Sequence, residues 1–152
     1  MEHFYEKIPG WFDFQDIYSN AVRNAENNSH FIEIGAWYGR STSYLAVEII
    51  NSNKKIKFDV IDTWRGSAEM LDPNQKAYDP YLVQNGTIYP KFLDNMESVL
   101  HVIKPIEMTS VDASFLYEDR SLDFVFIDAD HSYEFVRNDL LHWIPKIKDK
   151  GI

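Results

Sequence analysis

Three groups of side chains in this 152-residue chain have types and spacing suited to chemistry. The first is the turn Gly35-Ala36-Trp37-Tyr38-Gly39, with Glu33 just before it and Ser41 just after. The second is Asp62, and the third is the run Asp128, Asp130 and His131. Glycines in such a turn let backbone N–H groups meet a ligand with no side chain in the way. A carboxylate such as Asp62 can accept hydrogen bonds from both hydroxyls of a diol, the alternative being a plain turn cap. An imidazole titrates near neutrality in water, so His131 beside Asp128 is a candidate general base, or else a loop hydrogen-bonding group. Chemistry requires that these groups meet, so the elements carrying them have to converge.

Each group follows an apolar segment. Phe31, Ile32 and Ile34 read as a buried strand with Glu33 as its lone charge. The glycine turn and a helix over about residues 42–50 follow, with Ser41 and Thr42 as its expected cap. Ile56, Phe58, Val60 and Ile61 predict a second strand ending at Asp62. Residues 106–109 predict a third. Residues 122–127 (LDFVFI) predict a fourth, running into Asp128. Helical periodicity puts Phe14, Ile17, Tyr18, Ala21, Val22 and Ala25 on one stripe, capped by Asp13. A helix from Pro90 carries Phe92, Met96, Val99, Leu100 and Ile103 and stops before Pro105. In the last helix Tyr133, Val136, Leu140, Leu141 and Ile144 are expected to face inward, and Asp139 and His142 to face solvent. Residues 64–88, rich in Asp, Asn, Pro and Tyr, are expected to be an irregular lid or substrate loop, its tyrosines Tyr78, Tyr81 and Tyr89 either packing or lining a pocket. Strands alternating with helices predict one domain, residues 1–152, built as a doubly wound parallel α/β sheet. Ligands of such sheets bind outside the carboxyl ends of the strands.

Composition narrows the ligand. Lysine and arginine number 15 against 24 acidic residues, a formal net charge of −9. That surface repels phosphodiester backbones and anionic lipid, which argues against nucleic acid and membrane partners and leaves a small molecule. No cysteine is present, which excludes disulfides, thiolate metal sites and cysteine nucleophiles. No signal-peptide layout or membrane-spanning run is visible, so the cytoplasm is the expected location.

The glycine spacing discriminates between cofactors. A dinucleotide fingerprint reads G-x-G-x-x-G, and a triphosphate loop has four residues between its glycines and then lysine. Here the pattern is G-x-x-x-G followed by Arg40, with bulky Trp37 and Tyr38 inside. A cofactor with a ribose and an amino-acid tail but no phosphate, such as S-adenosylmethionine (SAM), suits it better. Asp62 would then accept from the ribose, and Trp64 would pack on the base.

Taken together, Glu33-x-Gly35-x-x-x-Gly39-x-Ser41, the IDTW of residues 61–64 and the IDADHSYE of residues 127–134 resemble class I SAM-dependent methyltransferases. The resemblance covers most of the chain from Trp11 and is nearest to the branch of macrocin-type sugar O-methyltransferases and cephalosporin hydroxylase-like proteins. It implies that Glu33, Gly35, Ala36, Gly39 and Ser41 hold the methionine part of SAM, and Asp62 the ribose. Ser110 and Asp112 would approach the adenine edge, and Asp128 would sit beside the methyl donor. In metal-dependent relatives the residue matching Asp128 binds Mg2+ or a similar divalent ion. The implied activity is O-methylation of a small hydroxylated substrate such as a sugar, with His131 and Asp128 as the catalytic pair. A SAM-binding module without catalysis and a metal-dependent hydroxylase are the alternatives. In that family a Gly-Gly turn, a fifth strand and a Gly-His-Asp-Tyr-like segment would follow Lys150-Gly151-Ile152, and the C-terminal strands are expected to be missing here. The fourth strand is accordingly expected to lie at an open sheet edge, in a fragment or covered by a partner chain or a homo-oligomer.

Overall fold

The computed structural model describes all of residues 1–152. Strands β1 (His30–Ile34), β2 (Lys57–Asp62), β3 (Lys104–Glu107) and β4 (Phe124–Ile127) form one parallel sheet in the order β3-β2-β1-β4. Register decides what this sheet does for the molecule. Ile34 pairs with Ile61 on one side and with Ile127 on the other. The residues that follow, Gly35, Asp62 and Asp128, therefore emerge level with one another at the carboxyl edge.

Alternation along β1 sorts its side chains onto two faces, as a period of two requires. Phe31 joins a large core with Phe58, Val60 and Phe124, covered by α1 (Gln15–Asn24), α2 (Arg40–Ser52) and α5 (Tyr89–Met96). Ile32 and Ile34 join a smaller core with Ile61, Ala113, Leu122 and Trp143, covered by α6 (Ser110–Ser114) and α7 (Tyr133–Trp143). Helices on both faces of a parallel sheet give the doubly wound architecture expected from the sequence.

Several local expectations change. α1 begins after Phe14 without a cap from Asp13, and it buries Tyr18, Ala21 and Val22 while Phe14 and Ile17 stay exposed. α2 starts at Arg40 behind Gly39, whose φ of 91° makes the turn, so Ser41 and Thr42 lie inside the helix and do not cap it. Residues 64–88 are irregular only in part, since two short helices, α3 (Ala68–Leu71) and α4 (Pro80–Asn85), interrupt them. Asp79 caps α4 by accepting the Leu82 N–H at 3.0 Å, and Tyr81 and Tyr89 pack against the main core. α5 ends at Met96, well short of Pro105, and that proline lies within β3. β3 is an edge strand, where a residue without an N–H is tolerated.

The largest change is in α7, which is turned the other way round. Tyr133 is 75% exposed and Leu140, Leu141 and Ile144 are also exposed, whereas Asp139 and Trp143 are buried. The row Phe135, Asp139, Trp143, spaced by four, faces the site and the smaller core; the wider apolar stripe has no element against it. At the outer edge of β4 the Val125 N–H donates to the Ile152 carbonyl at 2.8 Å, and the Ile152 N–H to the Asp123 carbonyl at 3.0 Å. The edge is thus partly paired by the chain itself. No helix is long and apolar enough to cross a membrane.

Candidate active site

A cavity of about 420 Å³ opens at the carboxyl edge of the sheet, within the range of small-molecule sites. Gly35, Asp62, Trp64, Ser110 and Asp128 all line it, joining residues expected to act together. Ala36 and Ser41 line an adjoining cavity, whereas Glu33, Gly39 and Asp112 line neither.

Gly35 is where two backbones meet. A Cβ there would lie 2.2 Å from the Asp128 carbonyl oxygen and 2.7 Å from the Ala129 Cα, at a φ of +87°. The glycine lets the chain after β4 cross directly over the end of β1, and that crossing forms the cavity floor. Gly39 serves packing instead, since a Cβ there would meet Met96 and Phe92 of α5.

Asp62 holds the glycine turn in place. Its Oδ2 accepts the N–H groups of Ala36 and Trp37 at 2.8 and 2.9 Å, and its Oδ1 accepts the Trp64 N–H at 2.7 Å. Trp37 and Trp64 both adopt left-handed backbone, at φ of 48° and 51°, which bulky residues rarely do. The carboxylate thus clamps two strained residues, and a carboxylate has about four acceptor positions, so capacity remains for a ligand hydroxyl. Trp64 departs from its expected role. Its ring is fully buried against Tyr89 and Phe92, and its indole N–H donates to the Trp37 carbonyl, so it supports the turn from beneath.

Glu33 lies under the turn, fully buried. The Tyr18 hydroxyl donates to Oε1 at 2.8 Å, and the Thr42 hydroxyl donates to Oε2. Burial pushes its carboxyl up to about 7, against the lowering effect of these hydroxyls. A carboxyl whose native pKa is raised stabilises the fold fully below its unfolded value and loses that contribution as pH rises through about 7. Glutamine imitates the protonated form. Glu33→Gln is therefore expected to match the wild type near pH 4.5 and to exceed it by about 2–3 kcal/mol at pH 8. Urea unfolding of both proteins across that range checks this; equal pH slopes would refute it.

Around the far end of the cavity, Ser110 Oγ accepts the Trp143 indole N–H at 2.8 Å. Asp112 points elsewhere, its carboxylate accepting the Thr109 hydroxyl at 2.7 Å within the first turn of α6. Asp139, expected in solvent, is a lining residue of this cavity. Burial raises its carboxyl above the ordinary range, against the effect of neighbouring Ser110. The signal for it was present in the sequence as the four-residue spacing Phe135, Asp139, Trp143.

Asp128 lines both cavities, and its Oδ1 lies 3.0 Å from His131 Nε2. His131 is 81% exposed at the side chain. As a metal site the cluster does not fit: no group of three or more His, Cys, Asp or Glu side chains converges around Asp128 or anywhere else in the chain.

A family model described as a methyltransferase domain matches residues 32–152. The chain belongs to this methyltransferase family. Its fold is shared with solved structures of low identity. A Staphylococcus aureus protein described as a caffeoyl-CoA O-methyltransferase is 16% identical with a TM-score of 0.56, over 96% of this chain and 58% of that one. A Corynebacterium glutamicum protein is 10% identical with a TM-score of 0.57, over the same shares of the two chains, 96% and 58%. Phosphoethanolamine N-methyltransferase 1 of Haemonchus contortus, solved with phosphoethanolamine and S-adenosylhomocysteine, is 16% identical with a TM-score of 0.50, over 90% of this chain and 24% of that one. No curated protein gives a match. This methyltransferase domain therefore spans 58% of the length of the first two structures it resembles.

Proposed function

We propose that this methyltransferase domain binds SAM in the 420 Å³ cavity and methylates a hydroxyl of a small acceptor, such as a sugar. The observation that carries the reading is the level alignment of Gly35, Asp62 and Asp128 across the cavity floor. Asp62 would accept from a ribose hydroxyl, and Ser110 with Met108 would border the base. Asp139 offers a carboxylate to an exocyclic amine. SAM supplies, when bound, a methyl group on a sulfonium, open to displacement by an oxygen nucleophile. The domain's own part is to align the acceptor and receive its proton. His131, oriented by Asp128, would take the proton from the acceptor hydroxyl as that oxygen forms its bond to carbon.

Calorimetric titration with SAM, NAD and ATP tests the cofactor assignment. SAM is expected to bind, and NAD and ATP are not. Absence of SAM binding overturns the reading. Transfer of a radiolabelled methyl group to a panel of hydroxylated acceptors then separates an enzyme from a module that only binds SAM.

A further inference from the structure

The chain between Ile8 and Phe12 walls the second cavity, of about 350 Å³, which shares Gly35, Trp37 and Asp128 with the first. Ile8 and Phe12 act as pegs. Both are buried, and the Phe12 ring packs against Tyr5, Tyr18 and Tyr44. Arg40 Nη1 donates to the Ile8 carbonyl at 2.9 Å, and the Arg40 guanidinium lies over the Tyr5 ring, 5.7 Å from its centroid. Between the pegs the attachment is different. Residues 9–11 make no backbone–backbone hydrogen bond. Trp11 instead stacks on Trp37, with centroids 5.3 Å apart and planes 8° apart. Trp11 is 71% exposed, so this stack covers one face of its ring and leaves the other to solvent. A segment tied by one ring and no backbone bond opens at low cost.

What lies beneath this segment also favours opening. Gly10 sits directly on Trp37 and Arg40: a Cβ there would be 3.3 Å from the Trp37 ring and 3.4 Å from Arg40 Cβ. Trp37 Nε1 and Arg40 Nε are buried without a hydrogen-bond partner. A donor buried unpaired costs stability, and lifting the segment would let water pair both. The closed position is therefore held by the stack against a standing penalty. Gly10 supplies the hinge, since its φ of +134° lies where only glycine moves freely.

We propose that Pro9-Gly10-Trp11 is a flap that gates the methionine end of the cofactor site, with the Trp11–Trp37 stack as its latch. The proposal rests on the SAM reading only for what passes the gate. Opening of the flap sets how fast the cofactor enters and its demethylated product leaves, whereas the residues beneath it set the affinity. Trp11 is then a kinetic element: removing it changes rates and leaves the equilibrium almost untouched.

Stopped-flow fluorescence with S-adenosylhomocysteine gives association and dissociation rates for the wild type, Trp11→Ala and Trp11→Phe. In Trp11→Ala both rates are expected to rise together by about 2- to 10-fold, the worth of one aromatic stack, with Kd changed by less than about 2-fold. Trp11→Phe keeps a ring on Trp37 and is expected to stay nearer the wild type. Unchanged rates overturn the proposal. So does faster dissociation alone with a weaker Kd, which would make Trp11 an ordinary contact. A second measurement needs no ligand. The Trp37 indole N–H, assigned in 15N-labelled protein through Trp37→Phe, is expected to exchange with solvent faster in Trp11→Ala by the same factor, at an unchanged melting temperature. If S-adenosylhomocysteine does not bind the wild type, the SAM reading fails and this exchange alone judges the flap. Equal exchange in the two proteins overturns it.

Discussion

Gly35→Ala is expected to destabilise the domain by roughly 3–5 kcal/mol and to lower its melting temperature by on the order of 10 °C. The new methyl group would meet only backbone, the carbonyl of Asp128 and the Cα of Ala129, so no side chain can rotate out of its way. Nor can the strand ends separate freely. The Gly35 N–H donates to the Ile61 carbonyl at 2.9 Å, and the Asp128 N–H donates to the Ile34 carbonyl at 2.8 Å. Gly86→Ala is the matching control. Gly86 has a similar φ of +73° but open space where its Cβ would be, so only conformational strain of about 1 kcal/mol is expected there. Urea unfolding of the two variants separates collision from strain. Equal losses would show that the Asp128 crossing is not a tight contact.

Asp62→Ala carries the second large effect, and it falls on binding as well as stability. Three N–H groups lose their acceptor together, with an expected cost of about 2–4 kcal/mol. Trp37 and Trp64 are then free to leave their left-handed conformations, which takes the glycine turn out of shape. SAM affinity is expected to fall by about 100-fold or more, because the turn and the ribose acceptor are lost in one change. Asp62→Asn distinguishes those contributions. Its remaining oxygen can still accept from Ala36 and Trp37, so stability should fall less, while the amide nitrogen cannot accept from a ribose hydroxyl. If Asp62→Asn binds SAM as the wild type does, the ribose role is refuted and Asp62 only holds the turn.

The parts of the site legible in the sequence are those that depend on local order. A buried apolar run followed by glycines, or ending in an acid, fixes a strand end, and Gly35, Asp62 and Asp128 each stand at such an end. Residues whose role depends on distant packing were less legible. Trp64 looks like a surface for a base because it follows Asp62, yet Tyr89 and Phe92 claim its ring. Glu33 looks like a ligand residue because it precedes the glycines, yet Tyr18, on a separate helix, turns it into a buried group. Asp139 was hidden by a stronger competing stripe, since α7 has more apolar side chains on the face left exposed than on the face it buries. Pro105 illustrates a rule that depends on place: it would break a helix or a central strand, but β3 lies at the edge.

The crossing of the chain after β4 over Gly35 also bears on how the molecule acquires its site. β1 is flanked by β2, which is near in sequence, and by β4, whose Phe124 pairs with Phe31 across most of the chain. Bringing β4 in closes a long loop, a slow kind of step in folding. Until it docks, the glycine turn has nothing to lie against and neither cavity has a floor. Ligand competence therefore arrives in one step with the longest-range pairing, and a chain caught before that step holds the glycine motif but no binding site.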